Sequence, residues 1–247
     1  MSSGPCLVTG GAGFLGAALV RRLLSEGRKV RVLDNQFRGT ITRLEDLRRD
    51  FEFIAGDIRD PETVRKAMRG MASVCHMAFI NGTEFFYSRP ALVLEVGVKG
   101  MLNVMDAALQ DGVEDLVLVS SSEVYQAPPV IPTDETAPLS IPDPLNPRYS
   151  YAAGKIISEV MALHCGGDRL KRVAIVRPHN VYGPDMGWEH VIPQLSLRIR
   201  SLCREGNGAL LVPVRGSGKE TRSFVFIDDF IDGLRAVMER AGHREIY

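Results

Sequence analysis

The chain has 247 residues, about one large domain or one and a half. Its 30 Lys and Arg balance 30 Asp and Glu, and hydrophobic residues make up 45% of it, as in a soluble globular enzyme. There is no basic run for nucleic acid, no apolar run near the ~20 residues of a membrane span, and no signal-peptide core. Any anion the protein holds is therefore expected to be small and locally bound. Cys6, Cys75, Cys165 and Cys203 are far apart and form no CxxC pair. They predict reduced, structural thiols of the usual buried kind in a cytoplasmic protein, with no metal site.

Taken in order, residues 6–8 are a short apolar run that stops at Gly10. Residues 14–26 carry apolar positions at helical spacing, and Gly27 is placed to end that helix. Residues 30–34 form a β-rich run closed by an acid, and 51–57 repeat the form. Pro61 then opens a helix at a position proline tolerates. Two more strands, 73–78 and 116–120, flank a long helix at roughly 90–111. The Pro-rich stretch 126–148 reads as a surface loop, followed by a helix over 150–165 and a strand over 172–176. Residues 179–222, rich in Gly and Pro, read as an insertion within a second lobe, and 245–247 as the start of a strand. This alternation predicts an α/β fold with a doubly wound parallel sheet and ligands at the carboxyl ends of its strands. The expected division is a nucleotide-binding domain over 1–178, then substrate-lobe segments and returning sheet elements over 179–247.

Thr9-Gly10-Gly11-Ala12-Gly13-Phe14-Leu15-Gly16 lies between the first strand and the first helix. Glycine is needed where the backbone turns sharply, approaches a pyrophosphate, or packs helix against strand. The helix start offers free N–H groups and a positive dipole end to phosphates. Asp34 closes the next strand, where a carboxylate accepts hydrogen bonds from adenosine ribose hydroxyls. It would repel a 2′-phosphate, so NAD is favoured over NADP.

The Gly10, Gly13 and Gly16 spacing, Asp34-Asn35 followed by Gly39, and Gly56-Asp57-Ile58 resemble the extended short-chain dehydrogenase/reductases, the NAD-dependent epimerase/dehydratase family of nucleotide-sugar enzymes. The resemblance implies a Rossmann domain in which Gly10, Gly13, Phe14, Leu15, Gly16, Asp34 and Asn35 hold NAD. It places Asp57 and Ile58 along the adenine and Ala78 beside the cofactor. His76 reads as a satisfied structural histidine.

Tyr151-Ala152-Ala153-Gly154-Lys155 sets a tyrosine and a lysine one helical turn apart on one face. A base must take the proton of a sugar hydroxyl, and a free phenol titrates near ~10. A neighbouring ammonium and the positive nicotinamide lower that value. The strand-end motif Ser120-Ser121-Ser122-Glu123-Val124-Tyr125 completes the family pattern, in which Ser121 binds the substrate hydroxyl with Tyr151. Tyr151 is thus the expected base, Ser121 its partner, and Lys155 both tuner and nicotinamide-ribose ligand. The plain alternative is a surface pair on an amphipathic helix. Tyr149 has no lysine four residues on.

Later segments carry the resemblance toward nucleotide sugars. Arg177-Pro178-His179-Asn180-Val181-Tyr182-Gly183-Pro184 implies Asn180 on the diphosphate, and Arg222-Ser223-Phe224-Val225-Phe226-Ile227-Asp228-Asp229 implies Arg222 there too. Arg177 is expected to be structural, tying the loop to the sheet. Ser122 is a further expected substrate contact. Glu123 resembles the second acid/base that acts at C5 in 4,6-dehydratases and the Ser-Glu pair of uronate decarboxylases, which implies 4,6-dehydration or decarboxylation of a UDP-, GDP- or CDP-sugar. Ser122 in place of the aspartate of dTDP-glucose dehydratases argues against that substrate but not against GDP-sugar dehydration. A 4-epimerase, a catalytically silent NAD-binding regulator and a small-alcohol dehydrogenase are the rival readings. Gln126, His179 and the missing asparagine at Gly97-Val98-Lys99-Gly100 depart from the family. Apolar faces on the helices at 90–111 and 150–165 suggest a homodimer, and the end at Tyr247 suggests that the native chain continues.

Overall fold

A computed structural model describes residues 4–188, 190–205, 211–214 and 217–247. β1 (Cys6–Thr9) leads through the glycine turn into α1 (Phe14–Ser25), and β2 follows at Val30–Asp34. β3 (Glu52–Ala55) precedes α2 (Pro61–Met68), which starts with proline at its first position and Asp60 accepting from the Glu62 N–H at 3.2 Å. β4 (Ser73–His76) is followed by α3 (Thr83–Ser88) and α4 (Pro90–Leu94). The long helix expected at 90–111 is interrupted by one wide turn, Glu95–Lys99, before α5 (Gly100–Gln110). β5 (Asp115–Val119), α6 (Ser150–Met161) and β6 (Arg172–Val176) complete the first run.

Seven parallel strands form one sheet in the order β3-β2-β1-β4-β5-β6, closed at its edge by β9 (Glu245–Ile246). The order reverses between β1 and β4, and there the carboxyl ends of the strands open a crevice. Both faces of the central strands are apolar, as burial on both sides requires. Leu7, Leu33, Val74, Leu116 and Ile175 point toward the α2, α5 and α6 side. Val8, Val32, Cys75, Val117 and Ala174 point toward α1 and the later C-terminal helix.

The remaining chain differs from the sequence reading in two ways. The stretch 179–222, read as an insertion within a second lobe with no helix or strand assigned to it, contains a 15-residue helix, α7 (Val191–Glu205), between β7 (Asn180–Tyr182) and β8 (Phe224–Phe226). Its amphipathic period was masked by the glycines and prolines around it. The strands β7 and β8 pair in parallel as a separate two-stranded sheet, and α8 (Ile227–Arg240) then returns to pack against α1. The second difference concerns the cysteines. Cys6 and Cys75 are buried, but Cys165 and Cys203 face solvent, because each lies on the outer side of its helical turn. Among the described residues no helix is long and apolar enough to cross a membrane, and none of the His, Cys, Asp and Glu side chains cluster as a metal site.

Candidate active site

The glycine turn fits a dinucleotide pyrophosphate. Gly10 has φ +72°, and a Cβ there would lie 2.8 Å from the backbone of Ala78, so only glycine lets β1 and β4 come this close. A Cβ on Gly16 would collide with the Gly10 carbonyl. Gly13, the cap of α1, makes no side-chain cap bond, so the first N–H groups of the helix face the crevice for an anion. Asp34 ends β2 with its carboxylate on the N–H groups of Ala12 (3.0 Å) and Gln36 (2.6 Å). Burial raises its pKa above the ordinary carboxylate value, and those two N–H groups work in the opposite direction.

Around the expected adenine edge, Asp57 is paired with Arg59 at 2.8 Å and accepts from Asn35 at 2.9 Å. The Arg59 pairing holds its carboxyl at about 2. Arg59 reaches on to Glu95 (2.9 Å), which ties this rim to the wide turn before α5. Ile58 is buried, and its carbonyl accepts from Asn103 at 2.8 Å. His76 hydrogen-bonds Thr9 at 2.7 Å through Nδ1. Burial, with the nearby Lys155 charge, pushes its pKa down to about 3. It is a satisfied core histidine.

Tyr151 and Lys155 lie on one face of α6, both buried. Burial pushes the Tyr151 phenol well above its ordinary pKa, Glu123 adds to this, and a hydrogen bond with Ser121 and the charge of Arg148 oppose it. Burial likewise pulls Lys155 down to about 7, against the upward pull of Glu159. The Lys155 ammonium donates to the Val119 carbonyl at 2.8 Å, which fixes it beneath the end of β5. The structure thus brings Ser121, Glu123, Tyr151 and Lys155 together.

Three side chains in this group had not been singled out. Arg148, three residues before Tyr151, grips both oxygens of Glu123 at 2.9 and 3.0 Å through one Nη, and its other Nη is buried without a partner. Phe86 stacks on the Tyr151 ring at 5.1 Å, and Phe79 meets it edge-on at 5.1 Å. Arg148 was legible in principle, since residues three apart share a helical face. No periodicity marks the two phenylalanines.

Beneath them lies a buried ion pair. Glu159 receives Arg177 at 2.6 Å and also accepts from Ser120. The other Nη of Arg177 donates to the Tyr125 hydroxyl (2.9 Å) and the Glu135 carbonyl (3.0 Å). Arg177 therefore has a structural role, and the loop that it ties to the sheet is 126–148.

These features decide the family when set beside known proteins. The profile of the NAD dependent epimerase/dehydratase family matches residues 6–247. The chain belongs to that family. It is 31% identical over 245 residues to a UDP-N-acetyl-alpha-D-glucosaminuronate decarboxylase of Bacillus cytotoxicus, covering 98% of this chain and 73% of the relative. It is 30% identical to UDP-glucuronic acid decarboxylase 1 of Xenopus tropicalis over 94% of the chain, and spans 53% of that protein. Among solved structures, the dTDP-glucose 4,6-dehydratase of Streptomyces venezuelae with NAD bound superposes with TM-score 0.83 at 31% identity, covering 98% of this chain and 74% of that one. The family's fold, its NAD dependence and its enzymatic character therefore hold for this chain.

The two diphosphate candidates are carried by the β7–β8 pair. Asn180 donates to the Ser223 carbonyl at 3.0 Å, and Arg222 to the Thr221 carbonyl at 2.7 Å on an exposed stretch. Among the described residues these contacts do not join either one to the Tyr151 group. Ser122 is fixed by its N–H on the Pro178 carbonyl at 2.9 Å, at the root of the same segment.

Proposed function

We propose that the protein decarboxylates a nucleotide uronate. The observation that carries this reading is a carboxylate, Glu123, beside the Tyr151 phenol, with a serine, Ser122, rather than an acid as its neighbour. Ser122 stands where the resemblance puts the aspartate of dTDP-glucose dehydratases, which argues against dehydration of that substrate. Dehydration of another nucleotide hexose would leave Glu123 alone to carry the C5 proton to the leaving C6 hydroxyl. A uronate oxidised at C4 is a β-keto acid, which needs no such transfer. Its C5–C6 bond breaks, CO2 leaves, the electron pair passes into the C4 enolate, and C5 then takes a proton.

In this scheme Ser121 orients the C4 hydroxyl, Tyr151 takes its proton, and Lys155 stabilises the phenolate. Bound NAD would supply the acceptor for the C4 hydride, would add positive charge beside the phenol while oxidised, and would return the hydride to C4 after CO2 has left, so that the cofactor ends as it began. Gly10, Gly13, Phe14, Leu15, Gly16, Asp34, Asn35, Asp57, Ile58 and Ala78 would hold it. Glu123 would supply the C5 proton, and the unpartnered Nη of Arg148 would face the substrate's negative end. Asn180 and Arg222 would hold the diphosphate from the segments after residue 178.

The hold of Arg148 on Glu123 favours a second reading, in which Glu123 only anchors its loop and the enzyme is a 4-epimerase. Mass spectrometry of products from UDP-glucuronate and from UDP-, GDP-, CDP- and dTDP-hexoses separates the two. Loss of CO2 from the uronate is the expected result. An isomer of unchanged mass would establish the epimerase instead.

We also propose a cytoplasmic homodimer formed through α5 and α6. Leu102, Ile157 and Val160 present apolar surface to solvent on these helices. Light scattering of the complete native chain should give twice the monomer mass, and a monomer at micromolar concentration would overturn the assignment.

A further inference from the structure

Phe79 occupies a slot that only glycines leave open. A Cβ on Gly97, in the wide turn between α4 and α5, would lie 2.5 Å from the tip of its ring, and one on Gly154 of α6 would lie 2.9 Å from it. Gly97 belongs to the stretch where the family's usual asparagine is missing, so the ring fills space that a side chain would otherwise take. A face of the ring covers the Lys155 ammonium at 4.2 Å from its centre, and the ring meets Tyr151 at an interplanar angle of 82°. Phe86 stacks on Tyr151, and the Arg148 guanidinium lies 5.2 Å over Phe86. The phenol is thus held between two phenylalanines, each capped by a cation.

We infer that Phe79 is a positioning residue for proton transfer: wedged between Gly97 and Gly154, its ring sets the orientation of Tyr151 and keeps water from Lys155. The inference rests on Tyr151 being the base. Lys155 faces His76 on β4, the Val119 carbonyl on β5 and Glu159 on its own helix. Tyr151 faces Ser121 and Glu123 on the turn after β5, Arg148 on the turn before α6, and Phe86 on α3. None of these groups replaces the ring as a barrier to water. With Phe79 in place, a desolvated ammonium loses its proton near pH 7, where Lys155 is pulled down to about 7. Removing the ring rehydrates the charged form and moves that titration upward.

The test uses the NAD-loaded protein, with ¹⁵N-lysine NMR to titrate Lys155 and single-turnover cofactor reduction on the nucleotide sugar that the wild type turns over. Phe79→Ala should raise the Lys155 midpoint by roughly one pH unit or more. It should slow cofactor reduction roughly ten- to hundred-fold, with KM changed less than about two-fold. Phe79→Leu stays dry, so its Lys155 midpoint should remain near that of the wild type while reduction is still slowed. A folded Phe79→Ala protein with an unmoved midpoint, or with a wild-type rate, overturns the inference. If the alanine variant does not fold, a wild-type rate in Phe79→Leu overturns it. A wild-type protein whose cofactor none of the nucleotide sugars reduces would overturn the functional reading alone, because the Lys155 titration still reports on the ring.

Discussion

Tyr151→Phe should abolish cofactor reduction, lowering its rate on the order of 10³–10⁴-fold while the fold and bound NAD are kept. The substitution preserves the ring that Phe79 and Phe86 clasp, so the packing of α6 against α3 is unchanged. What disappears is the hydroxyl that Ser121 bonds, the group proposed to take the proton of the C4 hydroxyl. The high intrinsic pKa of the buried phenol strengthens the point. Burial and Glu123 hold the proton on, so its release depends on charge gathered around it, with Arg148 pulling in the productive direction. Glu123→Gln gives the contrasting result. Oxidation at C4 should survive, and the later step at C5 should slow on the order of 10²-fold. Single-turnover absorbance of the reduced cofactor, followed by product analysis, reads both steps. A Tyr151→Phe protein within ten-fold of wild type would remove Tyr151 from the chemistry.

Much of this site was legible because its signals are local. The glycine turn, the acid closing β2 and the Tyr151–Lys155 pair each span one turn or one strand end, where backbone geometry leaves few residue choices. β2 occupies Val30–Asp34 as the β-rich run closed by an acid implied, and Pro61 opens α2 where proline is tolerated. Long-range pairings left no such trace. Glu123 and Arg148 are 25 residues apart across the Pro-rich loop, and nothing in either segment specifies the other. Phe79 meets Gly97 and Gly154 only once the turn between α4 and α5 brings them together. Cys165 and Cys203 mislead for a related reason, since residue type gives an average burial and not the side of the helix. Helix α7 was obscured by composition, because glycines and prolines flank its amphipathic stretch and Pro193 sits in its first turn.

One spacing was available and carries structural weight: Glu159 stands four residues beyond Lys155 on the buried face of α6. Glu159→Gln should destabilise the protein by about 3–5 kcal/mol, the usual cost of removing one partner from a buried ion pair. Glu159 and Arg177 have side chains only 2% and 4% exposed, so solvent does little to screen the charge left behind. Glutamine still accepts from Ser120 or from one guanidinium N–H, but the Arg177 charge would then be uncompensated in the core. The 126–148 loop should loosen as well, because Arg177 holds it through Tyr125 and the Glu135 carbonyl. Lys155 should lose its proton at still lower pH, since Glu159 is the group that raises its pKa against burial. Denaturant unfolding of NAD-loaded protein measures the stability term, and Glu159→Leu combined with Arg177→Leu supplies the control. Because the double variant buries no orphan charge, it should recover much of the loss. Single and double variants with additive losses would mean that the pair is not coupled, and Arg177 would then hold the loop without help from Glu159.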